Sequence, residues 1–183
     1  MKIALARRTY ISHIDGVNRF IALLAEGFAK LNHEPIIVGW CYKGVRRNEL
    51  SKGFKKIHGL DVDIPLHTLR EGSCEGAIPW PRIAWDWWSR GSKLLSEEGF
   101  DVAIVNGVVP LKFKPKIAVI HVVSPFLTPG ELYKFYTKIG KQILKGYDRV
   151  VCVSDKVKRE SHSFSKLYCD TIPLPLKLNT YKL

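Results

Sequence analysis

Forty residues at the start of this chain constrain its architecture more than anything after them. The run from Lys2 to Ala6 (KIALA) is continuously apolar and predicts a strand. From Val17 to Leu31, the residues Val17, Phe20, Ile21, Leu24, Phe28 and Leu31 recur at spacings of three and four, which predicts a helix with one apolar face. Asp15 suits its N-cap, and Asn32 suits a left-handed residue after its end. A second apolar strand is predicted from Ile36 to Trp40. Strand, helix and strand in this order form a β-α-β unit, whose crossover is almost always right-handed and whose strands are parallel.

The rest of the chain keeps the alternation. Strands are predicted near Leu60–Ile64 and at Val102–Asn106, Ile117–Val123, Arg149–Val153 and Cys169–Ile172. Helices are predicted at Arg82–Glu97, Glu131–Tyr147 and Asp155–Phe164, with an irregular basic stretch over Cys41–Arg70 and a loop over Glu71–Pro81. Buried apolar strands alternating with helices imply a single α/β domain over residues 1–183, Rossmann-like and three-layered, with a mostly parallel sheet. Open sheets of this kind bind ligands outside the carboxyl ends of their strands. Those ends are His13–Gly16, Asn106–Val109, His121–Pro125 and Ser154–Asp155.

Composition narrows the chemistry. Lys plus Arg total 29 against 17 Asp plus Glu, a formal charge of +12. That surplus suits polyanions, anionic lipid or phosphorylated small molecules, and equally a solvated basic surface. The basic residues are scattered and form no nucleic-acid recognition motif, so no nucleic-acid partner is expected. Cys41, Cys74, Cys152 and Cys169 form no C-x-x-C pair and no zinc-ligand spacing; Cys152 reads as core, and a reducing, cytosolic setting is expected. No signal peptide is legible, and no apolar run reaches the length of a membrane span. A single Met and a single Gln point to a heat-adapted source.

Several catalytic signatures are missing from the sequence. The first turn has neither G-x-G-x-x-G nor G-x-x-x-x-G-K-[ST], and no serine sits in a G-x-S-x-G elbow. Gly16 is the single glycine of the first turn. It permits close backbone approach to an anion at the helix N-terminus, or simply shapes the turn. His121, ending IAVIHVVSP, is a base or a hydrogen-bond partner for a sugar hydroxyl or phosphate, or else a structural histidine. His13 is a second candidate of the same kind.

The run MKIALARRTYISHIDGVNRFIALLAEGFAKLNHEPIIVG resembles the start of the family 4 glycosyltransferases of the two-domain GT-B type. FDVAIVNG, KIAVIHVVSP and YDRVVCVSDKVKRE fit later strands of the same domain, so the resemblance covers nearly the whole chain. It implies the acceptor-side half of a hexosyltransferase, which moves a sugar from a nucleotide-sugar to an acceptor hydroxyl. It implies no cofactor and no metal. His121 would act at the reacting centre, with His13, Asp15, Gly16, Asn106, Ser154 and Asp155 lining the cleft. Gly16 would approach the donor diphosphate. The sequence shows no C-terminal nucleotide-binding domain. Turnover is therefore expected to need a separate nucleotide-binding chain or domain, or the chain acts as a homodimer or as a non-catalytic carbohydrate- or lipid-binding module.

Two surfaces suggest where an acceptor or a membrane would lie. Lys134, Lys138, Lys141 and Lys145 share one side of the helix from Glu131, opposite Leu132, Phe135, Tyr136, Ile139 and Ile143. The segment IPWPRIAWDWWSR carries four of the five tryptophans, of which Trp80 and Trp85 are expected to be the exposed pair. An anionic membrane surface or lipid-linked acceptor would meet these residues, placing the chain in the cytoplasm or peripherally on the inner membrane face.

Overall fold

The computed structural model describes residues 1–11, 15–42, 47–71, 74, 79–121, 131–165 and 168–173, without the side chains of 47–52, 131–137 and 163–165. Seven parallel strands form one sheet in the order β3-β2-β1-β4-β5-β6-β7. They are β1 (Lys2–Ile11), β2 (Glu34–Tyr42), β3 (Leu66–Thr68), β4 (Val102–Asn106), β5 (Lys116–Ile120), β6 (Arg149–Cys152) and β7 (Asp170–Thr171). The helices are α1 (Gly16–Lys30), α2 (Arg47–His58), α3 (Trp80–Asp86), α4 (Ser92–Glu97), α5 (Glu131–Leu144) and α6 (Asp155–Ser165). A π-helical turn, Trp87–Gly91, joins α3 to α4.

The β-α-β unit forms for the reasons legible in the sequence. Asp15 caps α1 by accepting from the Asn18 backbone N–H at 2.7 Å. Phe20, Ile21 and Ala25 are buried against the sheet, and Asn32 takes a φ of 60° just beyond the helix end. Leu31 departs from its apolar period: the helix stops at Lys30, and Leu31, as the cap, is exposed.

Three differences from the sequence reading have physical causes. First, β1 runs on through Arg7–Tyr10 to Ile11. A register shift between Arg7 and Tyr10 lets Tyr10 and Ile11 pair with Cys41 and Tyr42, and Ile11 packs over Gly39, where a Cβ would lie 2.5 Å from its side chain. Second, the irregular basic stretch contains α2, and the strand expected near Leu60–Ile64 is β3 instead. Leu60 and Ile64 are buried core residues on the connection, so burial rather than pairing explains their apolar character. Third, the cysteines are paired, Cys41 with Cys74 and Cys152 with Cys169, so the inference of a reducing setting loses its basis. Cys152 is buried as expected, but as half of a cross-link between β6 and the segment leading into β7.

The π turn redistributes the tryptophans. Trp87 is fully buried and donates its indole N–H to the Arg8 carbonyl at 2.8 Å. Asp86, also buried, accepts from Trp40 Nε1 at 2.7 Å and from Arg70 Nε at 2.6 Å, with Arg70 Nη2 at 3.2 Å, which fastens α3 to β2. Trp85 and Trp88 face outward, 64 % and 39 % exposed, with ring centroids 5.2 Å apart. The exposed pair is therefore Trp85 with Trp88. Trp80, at the start of α3, is only half-exposed. No described helix is long and apolar enough to cross a membrane.

Candidate functional site

Strand order reverses between β1 and β4, because the chain winds outward from β1 in one direction and from β4 in the other. A doubly wound sheet opens a crevice at such a point, outside the carboxyl ends of the two strands. Arg7 of β1 lies directly across from Asn106 of β4. Arg8 and Gly107 follow them, and His121 follows the end of β5.

Hydrogen bonds fix the histidine's chemistry. Asn106 is buried, and its Nδ2 donates to the Ala6 carbonyl at 3.3 Å. A carbonyl can only accept, so the amide oxygen must face the other way, where Asn106 Oδ1 meets His121 Nε2 at 2.9 Å. His121 Nε2 therefore carries the proton and donates it. Nδ1 holds the lone pair. Phe20 of α1 packs its ring edge-on against the imidazole at 4.7 Å. Burial first, and the Arg7 charge second, together push the His121 pKa down to about 4 against a raising effect of Asp15. At neutral pH the ring is an uncharged acceptor at Nδ1. Asn106 was expected to line the cleft. Its Oδ1 is taken by His121 and one of its Nδ2 hydrogens by the Ala6 carbonyl.

Asp15 stands at the same edge. Besides the Asn18 backbone N–H, it accepts from Asn18 Nδ2 at 2.7 Å and more distantly from Arg7 Nη2 at 3.5 Å. The carboxylate is thus turned toward the helix cap and the arginine. Gly16 opens α1, and a Cβ added there would meet nothing within 4 Å. Packing gives no reason for a glycine at this position, which leaves backbone access as the property that distinguishes it.

Ser154 and Asp155 stand at the end of β6, beside the strand that leads into His121. Ser154 Oγ accepts from the Val157 N–H at 3.3 Å, and Asp155 Oδ1 accepts from Thr171 Oγ1 at 2.9 Å. These bonds start α6 and tie it to β7. The structure thus brings Asp15, Gly16, Asn106 and His121 together at one edge and places Ser154 and Asp155 on the next strand beyond His121, two strands from β4. His13 and the side chain of Lys134 lie outside the described residues. On α5 Lys138 is exposed and Lys141 half-exposed, and Lys145, just past its end, is exposed, while Leu144 is buried and Ile143 packs against the core. A cavity of about 440 Å³ lined by Tyr147, Asp148, Arg149, Tyr168 and Asp170 opens at the amino end of β6, the opposite edge of the sheet from His121.

Sequence reasoning passed over Arg7 and Arg8, which follow directly on the strand expected at Lys2–Ala6. Their signal was available: two adjacent cations where an apolar strand reaches its carboxyl end. Arg7 is largely buried, with its side chain 16 % exposed and its Nε without a hydrogen-bond partner. Burial lowers the pKa of both guanidiniums, and the Arg7 charge depresses that of Arg8 further.

An all-parallel, doubly wound sheet whose strand order reverses between β1 and β4 is a Rossmann-like domain and matches one half of the GT-B architecture. The chain belongs to glycosyltransferase family 4: the profile of Glycosyltransferase Family 4 matches residues 14–172. No curated protein matches it. Among solved structures, it is similar to a protein assigned as a UDP-N-acetylglucosamine 2-epimerase from Listeria monocytogenes, with a TM-score of 0.54 and 13 % identity. The match covers 93 % of this chain and 44 % of that one, so the chain spans less than half of the epimerase's length. At this identity the likeness concerns the fold alone.

Proposed function

We propose that the chain is the acceptor-side half of a glycosyltransferase that moves a sugar from a nucleotide-sugar to an acceptor hydroxyl. A nucleotide-binding domain, on a second chain or a further domain, would complete the cleft, and the reaction would proceed without a metal. The observation that carries this reading is the neutral His121, oriented by Asn106 at the strand-order reversal. Its Nδ1 lone pair can accept a hydrogen bond from a sugar or acceptor hydroxyl and so hold the reacting oxygen in place. With a pKa near 4, the imidazole is a poor proton carrier at neutral pH, so its contribution is orientation rather than proton transfer. Gly16 would admit the donor diphosphate to the free N–H groups of α1.

The test is a transfer assay on the complex that the chain forms when isolated by a tag from its source. A partner of similar size and a sugar-transfer activity are expected, with His121→Ala lowering kcat by tenfold or more. Full activity in His121→Ala overturns the role given to the histidine.

A second reading, a lipid- or carbohydrate-binding module on the membrane surface, has its own observation. Trp85 and Trp88 form an exposed aromatic step, and Lys112 Nζ sits 3.6 Å above the Trp88 ring, beside the exposed Arg82 and Arg90. Interfacial tryptophans flanked by cations suit an anionic lipid surface, which would place the chain peripherally on a membrane. Flotation with phosphatidylglycerol vesicles should recover the wild type, and Trp85→Ala/Trp88→Ala should not float. Equal recovery of both removes this reading.

A further inference from the structure

The two arginines at the end of β1 are held in an arrangement that makes poor sense without a ligand. Buried cations are ordinarily paired with a carboxylate, because desolvation otherwise costs more than the fold can easily offset. Here, among the described residues, one carboxylate stands beside Arg7 and none beside Arg8. Asp15 is that carboxylate, already bonded to the backbone and side chain of Asn18, and Arg7 reaches it only at 3.5 Å. Arg7 Nε is buried with no partner. Arg8 has no hydrogen bond or ion pair from its guanidinium among the described residues, and it is half-buried. Its stem lies along Gly107, whose φ of 108° and missing Cβ leave room for it; a Cβ there would stand 3.2 Å from Arg8 Cβ and 3.4 Å from Cδ. The neighbouring imidazole is neutral and adds no negative charge.

Position makes this more than an untidy corner. Arg7 faces Asn106 across the β1–β4 boundary, and Arg8 crosses Gly107 at the next step, so both stand in the crevice where the strand order reverses. The local charge is positive, its donors are incompletely used, and guanidinium N–H groups match the oxygen geometry of phosphate.

We propose that Arg7 and Arg8 form an anion-binding dyad in this crevice, and that the group it takes is a phosphate ester. The proposal rests on the reading above only in taking this edge of the sheet as the ligand side. Two sources share the chemistry: the diphosphate of a nucleotide-sugar, and a phosphate carried by the acceptor.

Thermal unfolding of the purified protein tests it, with inorganic phosphate, pyrophosphate and glucose 6-phosphate each compared with chloride at equal ionic strength. A saturable rise in Tm is expected, since a ligand that binds only the folded state raises stability with its concentration. Arg8→Met should weaken phosphate binding about tenfold or more, the loss of one or two charge-assisted hydrogen bonds. It should also leave the anion-free Tm unchanged or raised, because a poorly compensated buried charge is replaced by an apolar stem. A merely structural arginine would lower that Tm. Pyrophosphate binding tightest assigns the dyad to the donor, and glucose 6-phosphate binding tightest assigns it to a phosphorylated acceptor. Should Arg8→Met fail to fold, Arg8→Lys and calorimetric titration of the wild type with phosphate give the same comparison. No saturable effect from any of the three anions, or an equal effect in the variants, overturns the dyad. None of these measurements involves sugar transfer, so the dyad and the transferase reading can fail separately.

Discussion

Lowering the pH should destabilise this protein through His121 before most of its carboxylates titrate. In the unfolded chain the imidazole titrates near its ordinary value of 6.5; in the fold it titrates at about 4, chiefly because it is buried and secondarily because Arg7 is close. Between those values the unfolded state holds a proton that the folded state refuses, so unfolding takes up a proton and acid favours it. The stabilising contribution of the neutral ring is complete above about pH 6.5, falls progressively toward pH 4, and changes no further below. The interval converts to about 3 kcal/mol, an upper figure because partial exposure lets water relieve some of the cost. Urea unfolding from pH 7.5 to pH 4 would measure it in the wild type and in His121→Gln, which has no titrating ring. The two stability curves should run parallel above pH 6.5 and separate below it. An NMR titration of the His121 Cε1–H should show a midpoint near 4. Arg7→Gln should raise that midpoint only part of the way to 6.5, because burial is the larger cause. Asn106→Asp should raise it as well, by placing a carboxylate where Nε2 now meets an amide oxygen. A wild-type midpoint at 6.5, with parallel stability curves throughout, would refute the buried, neutral imidazole and the hydrogen-bonding role built on it.

Other perturbations separate structure from site. Asp86→Ala strips Trp40 Nε1 and Arg70 of their buried acceptor and should cost about 3–5 kcal/mol in denaturant unfolding; a loss under 1 kcal/mol would show that the network is replaceable. Gly107→Ala should destabilise by about 1–3 kcal/mol, since its φ of 108° and the Arg8 stem both exclude a Cβ. Gly16→Ala, with open space around it, should leave Tm within a degree or two while weakening ligand binding at the cleft, and an unchanged ligand affinity would remove Gly16 from the site. Reducing the Cys152–Cys169 bridge, which spans 17 residues, should lower stability by about 3 kcal/mol, read as the shift in unfolding midpoint with reductant.

The architecture was legible because its signals are local. Helical period, caps and apolar runs depend on residues a few positions apart, and they located α1, β4, β6 and the caps Asp15 and Asn32 with small errors at the ends. The order of elements then implied parallel strands, and the carboxyl edge followed as the place to look. Asp15, Gly16 and His121 were singled out by that route, and all three stand at that edge.

What the sequence could not contain was decided by contacts between distant residues. Whether Asn106 faces a ligand or a histidine depends on the Ala6 carbonyl a hundred positions earlier. Trp85 and Trp88 became the outward pair because Asp86 and Trp87 between them are held inward by Trp40, Arg70 and the Arg8 carbonyl. The cysteines were paired by the sheet, which brings Cys41 and Cys74 to a Cα separation of 6.0 Å across 33 residues. Arg7 and Arg8 became conspicuous only when their charges proved to lie in a crevice with too few carboxylates. Local free energies choose helix or strand. The electrostatics of a buried side chain are set by what the fold places around it, and for that the sequence offers residue types without distances.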